Sequence, residues 1–143
     1  MNKQYPYDPR SLHLIYSVLL IIQLIITVVV LYSAKEDAVI QCSMNKISNY
    51  AIPSFVFGLA ALGKGLWNKG LLTIEVEDDM DTKFEILTKI HIWQWVLVQL
   101  GTLMLLTFTL MESNFYYFMF ALVNIIYFFT LRNTGETSAC TNI

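Results

Sequence analysis

Few residues in this chain have reactive side chains, and they are scattered. Five carboxylates crowd one stretch: Glu75, Glu77, Asp78, Asp79 and Asp81. Such a run can take a divalent cation or dock a basic partner. The order of an EF-hand loop, with its invariant glycine and terminal bidentate Glu, is missing. The run therefore reads as a solvated loop that contacts soluble partners. His91 has no second His or Cys at ligand spacing. It reads as an interfacial side chain beside Trp93, and His13 reads the same way. Cys42 and Cys140 form neither a disulfide framework nor a metal-site spacing. No nucleophile stands beside a base, and no carboxylates pair inside an apolar run. These residues predict a non-enzymatic protein without metal, cofactor or small-molecule substrate.

The surrounding elements point to lipid. The 143-residue chain is 56% hydrophobic and 14% charged, where soluble domains carry roughly a quarter charged residues. Its net charge of −2 offers no basic face to a nucleic acid. The apolar residues fall in long runs, which is the pattern of membrane spans. Four spans are expected, at about 12–32, 50–67, 90–111 and 115–131, within a single domain. The first is too long for a signal-peptide core of about 7–15 residues and reads as a retained span. The second is interrupted by Pro53, Gly58, Gly63 and Gly65, and Lys64 near its end can snorkel to the headgroups. Trp93 and Trp95 suit the interfacial edge of the third. Only Glu112-Ser113-Asn114 separate the last two, which requires a tight antiparallel hairpin. The fold class is an all-α, integral-membrane four-helix bundle.

Charge sets its expected orientation. With four spans, Lys3, Arg10, Lys64, Lys69, Lys83, Lys89 and Arg132 share one side, against Lys35 and Lys46 on the other. The positive-inside rule then places both termini and an acidic loop, 68–89, in the cytosol. Lys35-Glu36-Asp37 and Cys42 fall on the lumenal or exterior side.

Inside the spans, Gln23, Gln99 and Asn124 are candidates for hydrogen bonds between helices, worth on average about 0.6 kcal/mol each. Ala61 and Gly65 form a small-xxx-small pair, a helix-contact signal. No Asp, Glu, Lys or Arg lies near the centre of a span. Ion pathways and proton relays normally need one there. At the C-terminus, Cys140 stands fourth from the end as in a prenylation box, and Thr141-x-Ile143 fits a tail that adds a strand to a PDZ-type groove.

The order of features resembles the Transmembrane protein 107 family of ciliary transition-zone tetraspans. Pro9-Arg10 precedes a first span with a Val-rich end and Tyr32-Ser33. Lys35-Glu36-Asp37 and Ile40-Gln41-Cys42 follow. His91 stands near the start of the third span, and a turn containing Glu112 leads at once into Phe115-Tyr116-Tyr117-Phe118. The Ile-Gln-Cys spacing is one residue tighter than the family's, the third span is longer, and the lysine-rich tail is missing. The resemblance implies no catalysis. It implies a scaffold at the ciliary transition-zone membrane, within a Meckel-syndrome-type module that controls ciliary membrane composition and ciliogenesis. Its partners would be membrane lipids and other transmembrane and soluble transition-zone proteins. Two alternatives remain from the residues themselves: an accessory subunit of another assembly, such as an organellar energy complex, or a small transporter or channel.

Overall fold

The apolar runs leave their backbone groups no partner but the helix itself, and each folds as one. A computed structural model describes residues 9–34, 39–40, 46–76 and 79–141, with side chains placed from 12 to 131 except at Met80. Four helices make up these residues: α1 Pro9–Ser33, α2 Ser48–Val76, α3 Met80–Glu112 and α4 Phe115–Thr141. No strand occurs among them. An isolated bridge between Val39 and Asn114 ties the α1–α2 connection to the α3–α4 turn.

The chain runs up, down, up and down. At one end Lys46 Nζ meets Glu112 Oε2 at 3.0 Å, and Tyr117 donates to Asn49 Oδ1 at 2.8 Å. At the other end the Tyr16 ring stacks on Phe128 at 4.9 Å and meets Trp95 edge-on at 5.1 Å. The N-terminal end of α1 and the C-terminal half of α4 thus lie at the same end of the bundle. α3 is the axis: α1, α2 and α4 all pack on it, while α2 and α4 touch each other little.

Buried positions explain the packing. A seam of them runs through Tyr16, Gln23, Thr27 and Val30 on α1, His91, Trp95, Val98, Thr102, Leu105 and Thr109 on α3, and Tyr117, Ala121, Asn124, Phe128 and Leu131 on α4, flanked by the buried Gln94, Leu106, Phe118 and Ile125. Spacings of three and four alternate, a 3.5-residue period that keeps long helices in contact along their length. Two apolar clusters result. Val30, Ile52, Val56, Leu105, Leu106, Tyr117, Phe118 and Ala121 fill the turn end. Tyr16, Trp95, Val98, Phe128 and Leu131 fill the end with the chain termini. Gln23, Thr102 and Asn124 form a polar layer between them.

Glycine sets how closely the helices approach. A Cβ on Gly101 of α3 would stand 2.8 Å from Val56 Cγ1 on α2 and 3.3 Å from Asn124 Nδ2 on α4. A Cβ on Gly70 would stand 2.6 Å from Ile90 Cδ1. Gly63 packs on Gln94 in the same way, at 3.3 Å from its Cγ.

Several expectations change. Within the 68–89 stretch expected as a loop, 68–76 and 80–89 are helical. α2 continues through Leu71-Leu72-Thr73-Ile74 to Val76, and α3 begins at Met80. Asp79 caps α3, its carboxylate accepting from Thr82 N at 3.2 Å and from Thr82 Oγ1 at 2.7 Å. An N-cap carboxylate satisfies an otherwise unpaired backbone N–H, which is why the helix starts there. α4 likewise runs ten residues past Leu131. Leu12–Ser33 and Asp81–Glu112 are long and apolar enough to cross a membrane, and Phe115–Leu131 is a shorter apolar stretch. α2 is not among them: Gly58, Gly63, Lys64, Gly65, Asn68, Lys69 and Gly70 dilute its apolar character.

Candidate functional site

The most organised polar site is the layer at mid-bundle. Thr102 Oγ1 accepts from Gln23 Nε2 of α1 at 3.0 Å and from Asn124 Nδ2 of α4 at 2.9 Å. It donates to Val98 O at 3.1 Å. One hydroxyl hydrogen and two lone pairs are thereby all used. Asn124 Nδ2 also reaches Val98 O at 3.0 Å. Gln99, three residues before Thr102, donates to Leu19 O of α1 at 2.9 Å. All three amides read from the sequence therefore join helices. Gln23 Oε1 remains buried without a partner. The layer offers no base, nucleophile or charge, and its chemistry is adhesion between helices.

His91 lies elsewhere than expected. It is 5% exposed and sits between Trp67, at 4.4 Å between ring centroids, and Trp95, at 5.5 Å. Its Nδ1 lies 2.9 Å from Leu87 O. A carbonyl only accepts, so Nδ1 carries the proton and Nε2 the lone pair. The two indoles beside it part company. Trp93 is 60% exposed, whereas Trp95 is 4% exposed and belongs to the core. The heptad seam explains this: Trp95 follows His91 by one turn on the inner face, and Trp93 falls on the outer one.

The acidic residues stand at the tip of the α2–α3 hairpin. Glu75, Asp79 and Asp81 are exposed there. Glu77 and Asp78 lie outside the described residues, as do Lys35, Glu36, Asp37, Cys42 and Thr141-x-Ile143's last two positions; the side chains of Cys140 and Thr141 are likewise not described. Among the described residues no group of three or more His, Cys, Asp or Glu is placed to hold a metal ion.

Ala61 and Gly65 take no part in the packing inside the chain. With Gly58, Leu62, Leu66 and Lys69 they line an outward-facing groove on α2. A Cβ on Gly58 or Gly65 would meet nothing within 4 Å. The small residues that join helices here are Gly63, Gly70 and Gly101, and the hydroxyl that joins three of them is Thr102. From the sequence Gly63 reads only as an interruption of the second run, and Gly70, Gly101 and Thr102 are not singled out. The available signal was Gly101-Thr102 beside Gln99 at mid-span, on the heptad face of Val98 and Leu105.

No protein-family model, no curated protein and no solved structure matches this chain.

Proposed function

We propose that the chain is a four-span, non-enzymatic membrane subunit whose work is assembly. One observation supports this most: the outward faces of all four helices are widely apolar, while several polar side chains sit in the core. Gln23, Asn49, Gln94, Thr102, Thr109 and Asn124 are buried. Leu14, Ile21, Ile25, Val28, Leu62, Leu100, Val123, Ile126 and Phe129 are exposed, and they come from all four helices. A soluble monomer rarely shows a contiguous apolar patch above a few hundred Å². In lipid the same surface is matched to its solvent, and buried hydrogen bonds supply part of the attraction between helices.

In this reading α1 and α3 cross as the long apolar helices, and α2 and α4 complete the four spans while packed on α3. The excess of Lys and Arg on one side orients both termini to the cytosol. The open groove of Gly58, Ala61 and Gly65 receives a helix of a partner protein, since small residues allow close backbone approach. Glu75 and its acidic neighbours at the hairpin tip contact soluble partners. The Transmembrane protein 107-like layout supports reading the assembly as one of the ciliary transition zone, where the chain would help to set which membrane proteins enter the cilium.

Two experiments test the two levels. After alkaline carbonate extraction, the chain is expected in the membrane pellet; release to the supernatant overturns membrane embedding. A tagged copy in ciliated cells is expected at the ciliary base. A diffuse plasma-membrane signal, with ciliary composition unchanged on deletion, overturns the transition-zone role alone.

A further inference from the structure

A cavity of about 240 Å³ opens between α2 and α4 over α3, lined among others by Lys64, Asn68, His91, Gln94 and Tyr127. α2 and α4 both pack on α3 and diverge from each other here. Three features distinguish this cavity from a packing defect. None of its lining residues is acidic, and Lys64 has no ion-pair partner among the described residues. Gln94 is 5% exposed, yet its side-chain amide has no hydrogen-bond partner among the described residues. The sealed unpaired side-chain atoms are Gln23 Oε1 and Trp95 Nε1; the Gln94 amide instead keeps its hydrogen-bonding capacity open to the cavity it lines. Finally, with His91 Nδ1 bound to Leu87 O, Nε2 is the ring nitrogen left for the cavity, as an acceptor.

We propose that this cavity binds the headgroup of an anionic glycerophospholipid, one whose phosphodiester is accompanied by a hydroxyl. The phosphate oxygens accept from the Lys64 ammonium and from the amide N–H groups of Gln94 and Asn68. A headgroup hydroxyl donates to His91 Nε2. A choline headgroup fits poorly, because its quaternary ammonium would be repelled by Lys64 and has no hydrogen to give His91.

Depth favours a lipid over a soluble phosphate. Thr102 lies near the midpoint of the charge-free apolar run 90–111 of α3. His91 precedes it by eleven residues, about 16 Å of helix. Half the hydrocarbon thickness of a bilayer is about 15 Å. The cavity thus sits where acyl chains give way to headgroups, and the apolar sides of α2 and α4 flank it. This inference rests on the membrane-embedded reading.

The test uses the full chain purified in maltoside detergent. Phosphatidylglycerol or phosphatidylcholine is added and bound lipid is counted by native mass spectrometry. Phosphatidylglycerol is expected to be retained about fivefold over phosphatidylcholine, the factor of one lysine at an anionic surface. Lys64→Gln is expected to abolish that preference. Lys89→Gln, an exposed lysine paired with Glu85 at the same end, is expected to keep it. Gln94→Leu is expected to weaken retention while leaving the melting temperature unchanged or raised, which a merely structural glutamine would not do. Equal retention of the two lipids overturns the proposal, as does an equal effect of Lys89→Gln. Displacement of the lipid by equimolar glycerophosphate overturns the lipid source. If carbonate releases the chain from membranes, the embedded reading fails; if the chain stays embedded but shows no lipid preference, this inference alone fails.

Discussion

The hydroxyl of Tyr116 donates to the backbone carbonyl of Asn49 across 3.2 Å, joining α4 to α2. The carbonyl is available because of Pro53. In a regular helix the N–H of residue 53 would bond to the carbonyl of residue 49, and proline has no N–H. A helix can keep such a proline when a neighbouring helix re-satisfies the freed group. Tyr116→Phe is therefore expected to destabilise the fold by about 1 kcal/mol. In a Pro53→Ala background the backbone supplies its own donor, and the same substitution should cost much less. Unfolding midpoints of the four proteins in detergent measure the coupling. Equal losses in both backgrounds would show that the hydroxyl is not compensating for the proline.

Thr102 joins three helices with one hydroxyl. Thr102→Val keeps the shape and removes both acceptor positions. Gln23 Nε2 then loses its partner, and Gln23 Oε1 already has none. The expected cost is about 1–3 kcal/mol, the penalty of a buried amide left unpaired. Thr102→Ser keeps the hydroxyl and should cost less. The decisive variant is Gln23→Leu combined with Thr102→Val. Removing both partners of a hydrogen bond can be nearly neutral, so the double variant is expected to recover part of the loss in thermal melts. Additive losses would sink this account of the layer.

Two helical glycines should behave in opposite ways. Gly101→Ala places a methyl 2.8 Å from Val56 Cγ1 and 3.3 Å from Asn124 Nδ2. The expected cost is about 1–3 kcal/mol from overpacking. Gly65→Ala meets open space and should leave the unfolding midpoint unchanged or raised. Gly65→Leu should do the same to the isolated chain while weakening its co-purification with partner proteins, because the groove of Gly58, Ala61 and Gly65 is then blocked. Unchanged co-purification would remove the groove from the proposed function.

How far the sequence revealed this arrangement depended on the range of the interaction. Helix identity was legible, because runs such as Leu12–Tyr32 satisfy their backbone locally. Gln23, Gln99 and Asn124 were legible too: an amide in an apolar run needs a partner. What the partner was could not be read, since Thr102 looks like any mid-helix threonine until α1 and α4 are placed beside α3. The same limit hid Gly101, whose neighbours Val56 and Asn124 lie 45 and 23 positions away. It also made Ala61 and Gly65 look like internal contacts, because spacing shows a face but not what covers it. His91 and Trp95 misled for a different reason. Interfacial preference is a property of residue type, whereas the seam position that buried them is a property of register. The helical course of 68–76 and 80–89 was obscured by the charge of this stretch, which marks solvent exposure and not the absence of a helix.

The α3–α4 turn carries a strain that a single substitution can relieve. Ser113 caps α3 in the left-handed region, with φ 49° and ψ 38°, and its N–H bonds to Thr109 O. Asn114 N also reaches Thr109 O at 3.3 Å, and Asn114 Oδ1 accepts from Tyr116 N at 3.0 Å to start α4. The turn is thus held at both ends. Ser113 is the sole non-glycine residue with positive φ among the described residues. A left-handed conformation costs a residue with a Cβ roughly 1–2 kcal/mol, and glycine escapes that cost. Ser113→Gly is expected to raise stability by up to about 1 kcal/mol, after the extra entropy glycine loses on folding. Ser113→Val should lower it by more, since a β-branched side chain is least tolerant of positive φ. The ranking Gly above Ser above Val in unfolding midpoints checks this. A ranking with Val at or above Ser would mean that the turn relaxes out of the left-handed region.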